Sequence, residues 1–256
     1  MNEPTLSIIT VCYNSAATIR DTFESVLAQN YENYEYIIVD GGSTDQTVQI
    51  IKEYEPRFRG KMKWKSERDQ GLYDAMNKGI RQSNGKFIGI INSDDWYENG
   101  VFDSVDQHIE DHPEIDLFYG IIRIVKDGKE YMIRRNNYEF ISDFSGMIQH
   151  PTCFVKREVY EKYGSFDTRY RISADIDFVL RILHKGIRYH AIDKIITNFR
   201  VGGASDQHSN AKEILDIKYK NGVITKNQLV MLSYKQRIKA ILSSARNALK
   251  RKLASN

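Results

Sequence analysis

Asp94 and Asp95 stand side by side where the apolar run Phe87 to Ile91 ends, directly behind Asn92 and Ser93. Adjacent carboxylates repel one another and lose solvation unless a cation compensates them. A hard divalent cation bridging to a diphosphate would compensate them, because such cations take carboxylate and phosphate oxygens together. It would also offset charge developing on a departing diphosphate. The same pair would serve equally as a solvated acidic loop. Two earlier apolar runs also end in polar clusters, Tyr13-Asn14 and Asp40-Gly41-Gly42-Ser43-Thr44-Asp45. Asn, Asp, Gly and Ser make turns and helix caps without any ligand, a role open to Ser43, Thr44 and Asp45. Three such clusters in one half-sheet point to a crevice, because open parallel sheets bind ligands beyond the carboxyl ends of their strands.

The elements that would position these clusters are legible in the first half of the chain. Short apolar runs alternate with amphipathic helical patterns, the signature of right-handed β-α-β units and a mostly parallel sheet. Leu6 to Val11 reads as a strand buried on both faces. Ile19, Phe23, Val26 and Leu27 follow at helical spacing, with Asn14 or Ser15 as the expected cap. Tyr36 to Val39 is a second strand, and Val48, Ile51 and Tyr54 mark the next helix. Met62, Trp64 and Ser66 alternate with lysines, as in a strand near an edge; Tyr73 to Arg81 reads as a helix, and Gly85 turns into the strand Phe87 to Ile91. Beyond Asp95 the pattern changes. Val101, Phe102, Val105 and Ile109 predict a helix, and Leu117 to Val125, a turn at Lys126-Asp127-Gly128-Lys129, and Tyr131 to Ile133 predict a hairpin. Ser173 opens a helix with Ile176, Val179, Leu180 and Leu183 as its inner face.

The chain has 256 residues, 41% hydrophobic and 28% charged, the balance of one globular domain. No apolar run approaches the roughly 20 residues that span a bilayer. Cys12 and Cys153 lack metal-ligand spacing and read as buried small hydrophobes in a reducing compartment. From Tyr234 onward every charged side chain is basic: Lys235, Arg237, Lys239, Arg246, Lys250, Arg251 and Lys252. These seven outweigh the net charge of +3, so the rest of the chain is net acidic. Tyr234, Ile238, Ile241, Leu242, Ala245, Leu249 and Leu253 recur at helical spacing among them. A basic amphipathic helix without acids suits an anionic membrane surface; a helix packed on the domain or on a second subunit is the alternative.

Six segments, in order, resemble those of bacterial family-2 glycosyltransferases: Thr10-Val11-Cys12-Tyr13-Asn14, Val39 to Asp45, Asp69-Gln70-Gly71-Leu72-Tyr73-Asp74-Ala75-Met76-Asn77-Lys78-Gly79, Asn92-Ser93-Asp94-Asp95-Trp96, Ser173-Ala174-Asp175-Ile176-Asp177-Phe178 and Arg200-Val201-Gly202-Gly203-Ala204-Ser205. The resemblance covers about residues 5 to 205 and is similar to the branch that assembles capsule, O-antigen and exopolysaccharide units. It implies an α/β fold of the GT-A type, a mostly parallel sheet flanked by helices. A catalytic domain would fill residues 1–225, with a nucleotide-binding half at 1–98 and a variable acceptor half at 99–225, followed by a basic tail at 226–256. It implies transfer of a sugar from a nucleoside-diphosphate donor, a UDP-sugar first, with inversion. Thr10, Tyr13, Asp40 and Asp69 would line the nucleoside site; Asn92 and Ser93 would lie at the donor, with Asp95 beside its sugar. Asp94 would ligate Mg2+ or Mn2+ through the diphosphate, and Asp175, with Asp177 as the second candidate, would deprotonate the acceptor hydroxyl.

Two positions depart from the family pattern. Asn92 stands where an acid is common, and Ala174 replaces the acid that usually precedes the catalytic one. Asp175 and Asp177 both sit in a first helical turn, where they would complement the helix dipole in any case. The implied partners are the nucleotide-sugar and a glycan or undecaprenyl-diphosphate-linked acceptor, with no nucleic acid; the expected location is the cytoplasm, at the inner face of the plasma membrane. A sugar nucleotidyltransferase would need a Gly-rich basic loop after the first strand, and a dinucleotide-dependent oxidoreductase a Gly-X-Gly-X-X-Gly; neither is present. A non-catalytic nucleotide-sugar-binding or scaffold protein is the rival of a different class.

Overall fold

The structure is a computed structural model that describes residues 3–135, 148–203, 211–236 and 238. Within it the chain forms two compact units, Met1–Gln207 and His208–Asn256. The first is a single mixed sheet clothed by helices. Strands β1 (Leu6–Cys12), β2 (Tyr34–Asp40), β3 (Met62–Ser66) and β4 (Phe87–Asn92) are parallel and lie in the order β3-β2-β1-β4. Helices α1 (Ile19–Leu27), α2 (Thr47–Tyr54) and α3 (Leu72–Gln82) make the crossovers. All seven residues of β1 and of β2 are buried, which is why both read as near-continuous apolar runs. Beneath α1 and α2, Phe23, Tyr36, Tyr54 and Phe58 form an aromatic cluster of edge-to-face and tilted pairs with ring centroids 5.0 to 6.2 Å apart. On the other face α3 presses so close to β1 that a Cβ on Gly79 would stand 2.5 Å from Ile9 Cγ2.

After β4 the sheet continues with β8 (Phe154–Lys156), β6 (Leu117–Lys126), β9 (Tyr189–Arg200) and β5 (Trp96–Tyr97). β8 runs antiparallel to β4 and to β6, whereas β9 is parallel to β6, so the sheet is parallel in its first half and mixed in its second. Two reversals across β8 leave the carboxyl end of β9 at the same sheet edge as those of β1, β2 and β4. Around this half lie α4 (Val101–Asp111), α5 (Arg157–Tyr163) and α6 (Ala174–His184). The expected hairpin forms between β6 and β7 (Lys129–Arg134), its turn held by left-handed Asp127 and Gly128.

The second unit contains α7 (Ala211–Lys220) and a further helix over residues 226–236. Thr225 and Gln228 open that helix reciprocally: Gln228 N donates to Thr225 Oγ1 at 3.3 Å, and Thr225 N donates to Gln228 Oε1 at 2.8 Å. Tyr234 and Ile238 are exposed. The rest of the basic amphipathic pattern, Arg237 and residues 239–256, lies outside the described residues. Among the described residues no helix is long and apolar enough to cross a membrane.

Candidate active site

The three polar clusters meet at the carboxyl edge of the parallel strands. Left-handed Asn14, at φ 50°, lets the chain leaving β1 lean onto the loop after β2. Its amide donates to Ser43 Oγ and its side-chain Oδ1 accepts from Thr44 N, both at 2.8 Å. Asp45 accepts from Ala16 N at 3.1 Å and from Thr47 N at 2.9 Å. Ser43, Thr44 and Asp45 therefore do what turn and cap chemistry alone requires of them. Ser93 Oγ and Ser15 Oγ, 2.8 Å apart, join the end of β4 to the same corner.

Four of the expected donor-site residues stand at the surface of this edge. Tyr13 is 61% exposed. Asp69 is half-buried and lies directly over Gly41, where a Cβ would come within 2.4 Å of its Oδ2; its Oδ1 accepts from Gly71 N at 2.9 Å. Asp94 is half-buried beneath Gly203, whose Cβ would come within 2.5 Å of Asp94 Oδ2. Asn92 is partly buried; its Nδ2 lies 3.4 Å from Asp95 Oδ2. Its Oδ1 has no hydrogen-bond partner among the described residues.

Three other residues are placed differently from the expectation. Thr10 is fully buried with its Oγ1 2.9 Å from the Tyr36 hydroxyl, so its side chain braces the sheet and does not line a pocket. Asp40 is also fully enclosed: it accepts from Gly42 N at 3.1 Å, Ser43 N at 3.0 Å and Ser66 Oγ at 2.6 Å, and shapes the loop from within. Asp95 is enclosed too. Its Oδ1 accepts the backbone N–H of Arg200 at 2.9 Å, which pins the end of β9 over the turn. Burial, and then the charge of Asp94, push the Asp95 carboxyl well above the usual carboxylate range. Enclosure beside Asp94 thus disfavours the charged form of Asp95.

Arg200 is the residue that sequence reasoning quoted but gave no role. Its Nε donates to the carbonyl of Asp94 at 3.0 Å, another arm pairs with Asp21 on α1, and its guanidinium lies 4.9 Å from the centre of the Trp96 ring. One arginine thus fastens β9, α1 and the Asp94 turn together. Among the described residues no group of three His, Cys, Asp or Glu side chains is arranged to hold a metal. With Asp95 enclosed, Asp94 is the carboxylate the turn offers. One carboxylate fits Mg2+ or Mn2+ when substrate phosphates and water supply the other ligands.

Asp175 and Asp177 separate cleanly. Asp177 is 1% exposed and faces Arg181 Nε at 3.5 Å, an ion pair within α6. Arg181 in turn donates to Ser165 O at 2.7 Å and Gly164 O at 3.1 Å, tying α6 to the chain before it. Asp175 is only partly buried, and Tyr73 of α3 reaches it: the Tyr73 hydroxyl lies 2.8 Å from Asp175 Oδ1 and 2.6 Å from Ile172 O. Tyr73 belongs to the segment that begins at Asp69, so the acceptor-half acid is fastened to the nucleotide half. Asp175 also acts on a buried neighbour. Its charge is a cause, after burial, of the raised Cys153 thiol, and both Cys153 and Asp95 add to the raised Tyr97 phenol. His150 sits 5.2 Å from the Phe166 ring, 5% exposed, its imidazole lowered by burial to about 4. It is a neutral core group.

Known proteins share this fold and sequence pattern. A PGL/p-HBAD biosynthesis glycosyltransferase of Mycobacterium bovis is 32% identical over 189 residues, covering 71% of this chain and 70% of that protein. An uncharacterized glycosyltransferase of Methanocaldococcus jannaschii is 23% identical over 222 residues, covering 83% and 76%. Among solved structures, S. aureus TarS 1-349 in complex with UDP-GlcNAc superposes with a TM-score of 0.70 at 18% identity, over 89% of this chain and 70% of that one. The mannosyltransferase PcManGT from Pyrobaculum calidifontis, in complex with GDP-Man and Mn2+, gives 0.66 at 18%, over 88% and 66%. Against the longer S. aureus TarS chain the match spans 42% of that chain's length. The profile of Glycosyl transferase family 2 matches residues 7–172, which carry β1 to β8 and the acids Asp40, Asp69, Asp94 and Asp95, and the chain belongs to that family.

Proposed function

We propose that the protein moves a sugar from a UDP-sugar to a hydroxyl of a glycan or undecaprenyl-diphosphate-linked acceptor, with inversion at the anomeric carbon, in surface polysaccharide assembly. The observation that carries the proposal is the partly buried acid Asp175, fastened by Tyr73 to the segment that holds Asp69. One base and one leaving group are the requirements of direct displacement, in which the acceptor oxygen bonds to the anomeric carbon as the phosphate oxygen leaves with its electron pair. Tyr13 and Asp69 take the nucleoside, Asn92 and Ser93 border the diphosphate, and Asp40, Asp95 and Thr10 support the loops from beneath. Mg2+ or Mn2+ on Asp94, when bound, offsets charge on the diphosphate. Asp175 takes the proton from the acceptor hydroxyl. The basic tail, by its composition, holds the enzyme at the anionic cytoplasmic face of the membrane where a lipid-linked acceptor resides.

The test is UDP release from UDP-glucose, UDP-galactose and UDP-N-acetylglucosamine, with GDP-mannose as control, each with Mn2+ and octyl glycosides as acceptors. NMR of the product reads the anomeric configuration. Asp175→Asn should abolish transfer while leaving donor binding within about twofold, since a general base contributes on the order of 100-fold or more to rate and nothing to donor affinity. Retained transfer in Asp175→Asn, or a product with the donor's configuration, refutes this mechanism.

A further inference from the structure

We infer that the β6–β7 hairpin docks on an anionic lipid bilayer and so holds the Asp94 crevice toward it; the inference rests on the proposed residence at a membrane. All six residues of β7 are exposed, with Tyr131 at 65%, Met132 at 41% and Ile133 at 46%. Three consecutive exposed apolar residues are a liability to a protein unless they meet a partner. Cations flank them. Lys126, whose Nζ lies 5.9 Å from the centre of the Tyr131 ring, Lys129 and Arg134 have no ion pair among the described residues. Of the hairpin's two acids, Glu130 is taken by Arg123 Nε at 2.9 Å, and Asp127 forms the left-handed turn. The ribbon is therefore apolar along its middle and net cationic around it, the complement of an anionic membrane surface.

The backbone argues against the other ready occupant, a strand from a second copy. Met132 lies opposite Ile124 and Glu130 opposite Val125, which leaves Tyr131 as the extra residue of a bulge. A bulge and a row of cations are the devices that keep an edge strand from pairing with another. Met132 and Ile133, as successive strand residues, also face opposite sides of the ribbon. A flat protein surface would cover one of them, whereas the interface of a bilayer surrounds both. The hairpin is placed to matter for the reaction. β6 runs parallel to β9 with Val125 opposite Arg200, and Val201 N donates to Val125 O at 2.9 Å. The turn at Asp127 and Gly128 therefore projects past the same sheet edge at which Gly203 lies over Asp94.

The test sediments the full chain with vesicles of phosphatidylcholine alone and of phosphatidylcholine mixed with phosphatidylglycerol. The wild type should prefer the mixed vesicles. Lys129→Glu/Arg134→Glu should lower partitioning onto them by at least about tenfold, since each cation near such a surface supplies about fivefold. Met132→Ser/Ile133→Ser should lower it by about tenfold through lost apolar burial, with an unchanged Tm because both positions are exposed. A label read without any comparison of stabilities gives the second measurement. Cys12 and Cys153 are buried, so an environment-sensitive fluorophore on Met132→Cys reports from the hairpin, and its emission should rise and shift to the blue on mixed vesicles. Unchanged partitioning of both double variants, or a label that ignores the vesicles, overturns the inference. A concentration-dependent dimer that the same substitutions abolish overturns it too, because a second copy would then cover the ribbon. Lys250→Glu/Lys252→Glu in the tail keeps the two ideas apart. Partitioning lost in the tail variant and retained in both hairpin variants defeats only the hairpin, whereas a wild type that ignores mixed vesicles defeats membrane residence itself.

Discussion

Acidification should destabilise this protein through one histidine. His150 is 5% exposed against Phe166, and burial lowers its imidazole to about 4 from an ordinary 6.5. The native state therefore binds fewer protons than the unfolded chain between those two values, so stability falls as pH falls through that window. Linkage puts the loss at about 2 kcal/mol between pH 7 and pH 5 and about 3 kcal/mol by pH 4, at 1.36 kcal/mol per unit. That is a large share of the roughly 5–15 kcal/mol that holds a typical domain. Both tryptophans, Trp64 and Trp96, lie in the unit Met1–Gln207, so urea melts followed by tryptophan fluorescence report on the unit that contains His150. The wild type should lose most of this stability before the carboxylates begin to titrate. His150→Gln should show a nearly flat profile from pH 7 to pH 5. His190, lowered by burial and then by His112 and His108, is more exposed and should leave only a small residual slope. Parallel profiles for wild type and His150→Gln would show that the imidazole titrates normally and is not a closed core group.

Gly203→Ala should weaken UDP binding in Mn2+ by about tenfold or more with little change in Tm, because its Cβ would meet Asp94 Oδ2 at 2.5 Å while the backbone there needs no left-handed conformation; calorimetric titration checks it, and full-strength binding counts against a donor site at Asp94. Asp94→Asn should make UDP affinity insensitive to Mn2+ and should not destabilise the fold, since it removes the charge that repels buried Asp95; the same titration plus a melt decides, and an undiminished metal response places the cation elsewhere. Asp177→Ala should cost about 1–3 kcal/mol by leaving Arg181 unpaired at a buried face, yet leave kcat at 20 °C within about twofold. A large fall in kcat without loss of stability would make Asp177 the base.

The parallel half of the fold was legible because its physics is local. β1 and β2 are buried on both faces, so they appear as apolar runs, and the loops that follow them are built from residues with turn chemistry of their own. What escaped is set by distant partners. The closing strand β9 pairs with β6 and β5, and its alternation of Ile192, Ile195 and Ile196 with charged residues resembles neither period strongly. The fate of Asp95 follows from β9, since the group that holds its Oδ1 is an amide 105 residues away. Asp40 is enclosed for the same kind of reason, with Ser66 coming from the edge strand. The inner face of α6 was read as Ile176, Val179, Leu180 and Leu183, but Ala174, Asp177, Phe178, Val179, Leu180 and Ile182 are the buried positions. An acid was assigned outward by default, and Arg181 one turn later reverses that choice.

The pairing of Asp94 with Asp95 shows how the two kinds of information combine. Spacing alone allowed a cation site or a solvated acidic loop, and it treated the two carboxylates alike. The fold makes them unequal: Asp95 is drawn inward by the Arg200 amide, and Asp94 is left at the crevice under Gly203. Asp95 is enclosed with its Oδ1 held by the Arg200 amide, so Asp94 is the carboxylate left for a cation, and the remaining charge must come from a diphosphate. On this geometry metal and donor should bind cooperatively. Mn2+ titrated without nucleotide should bind at least about tenfold more weakly than with UDP, the factor that about 1.4 kcal/mol of coupling supplies. Equal Mn2+ affinity with and without UDP would mean that the protein builds the site unaided, which one half-buried carboxylate cannot do.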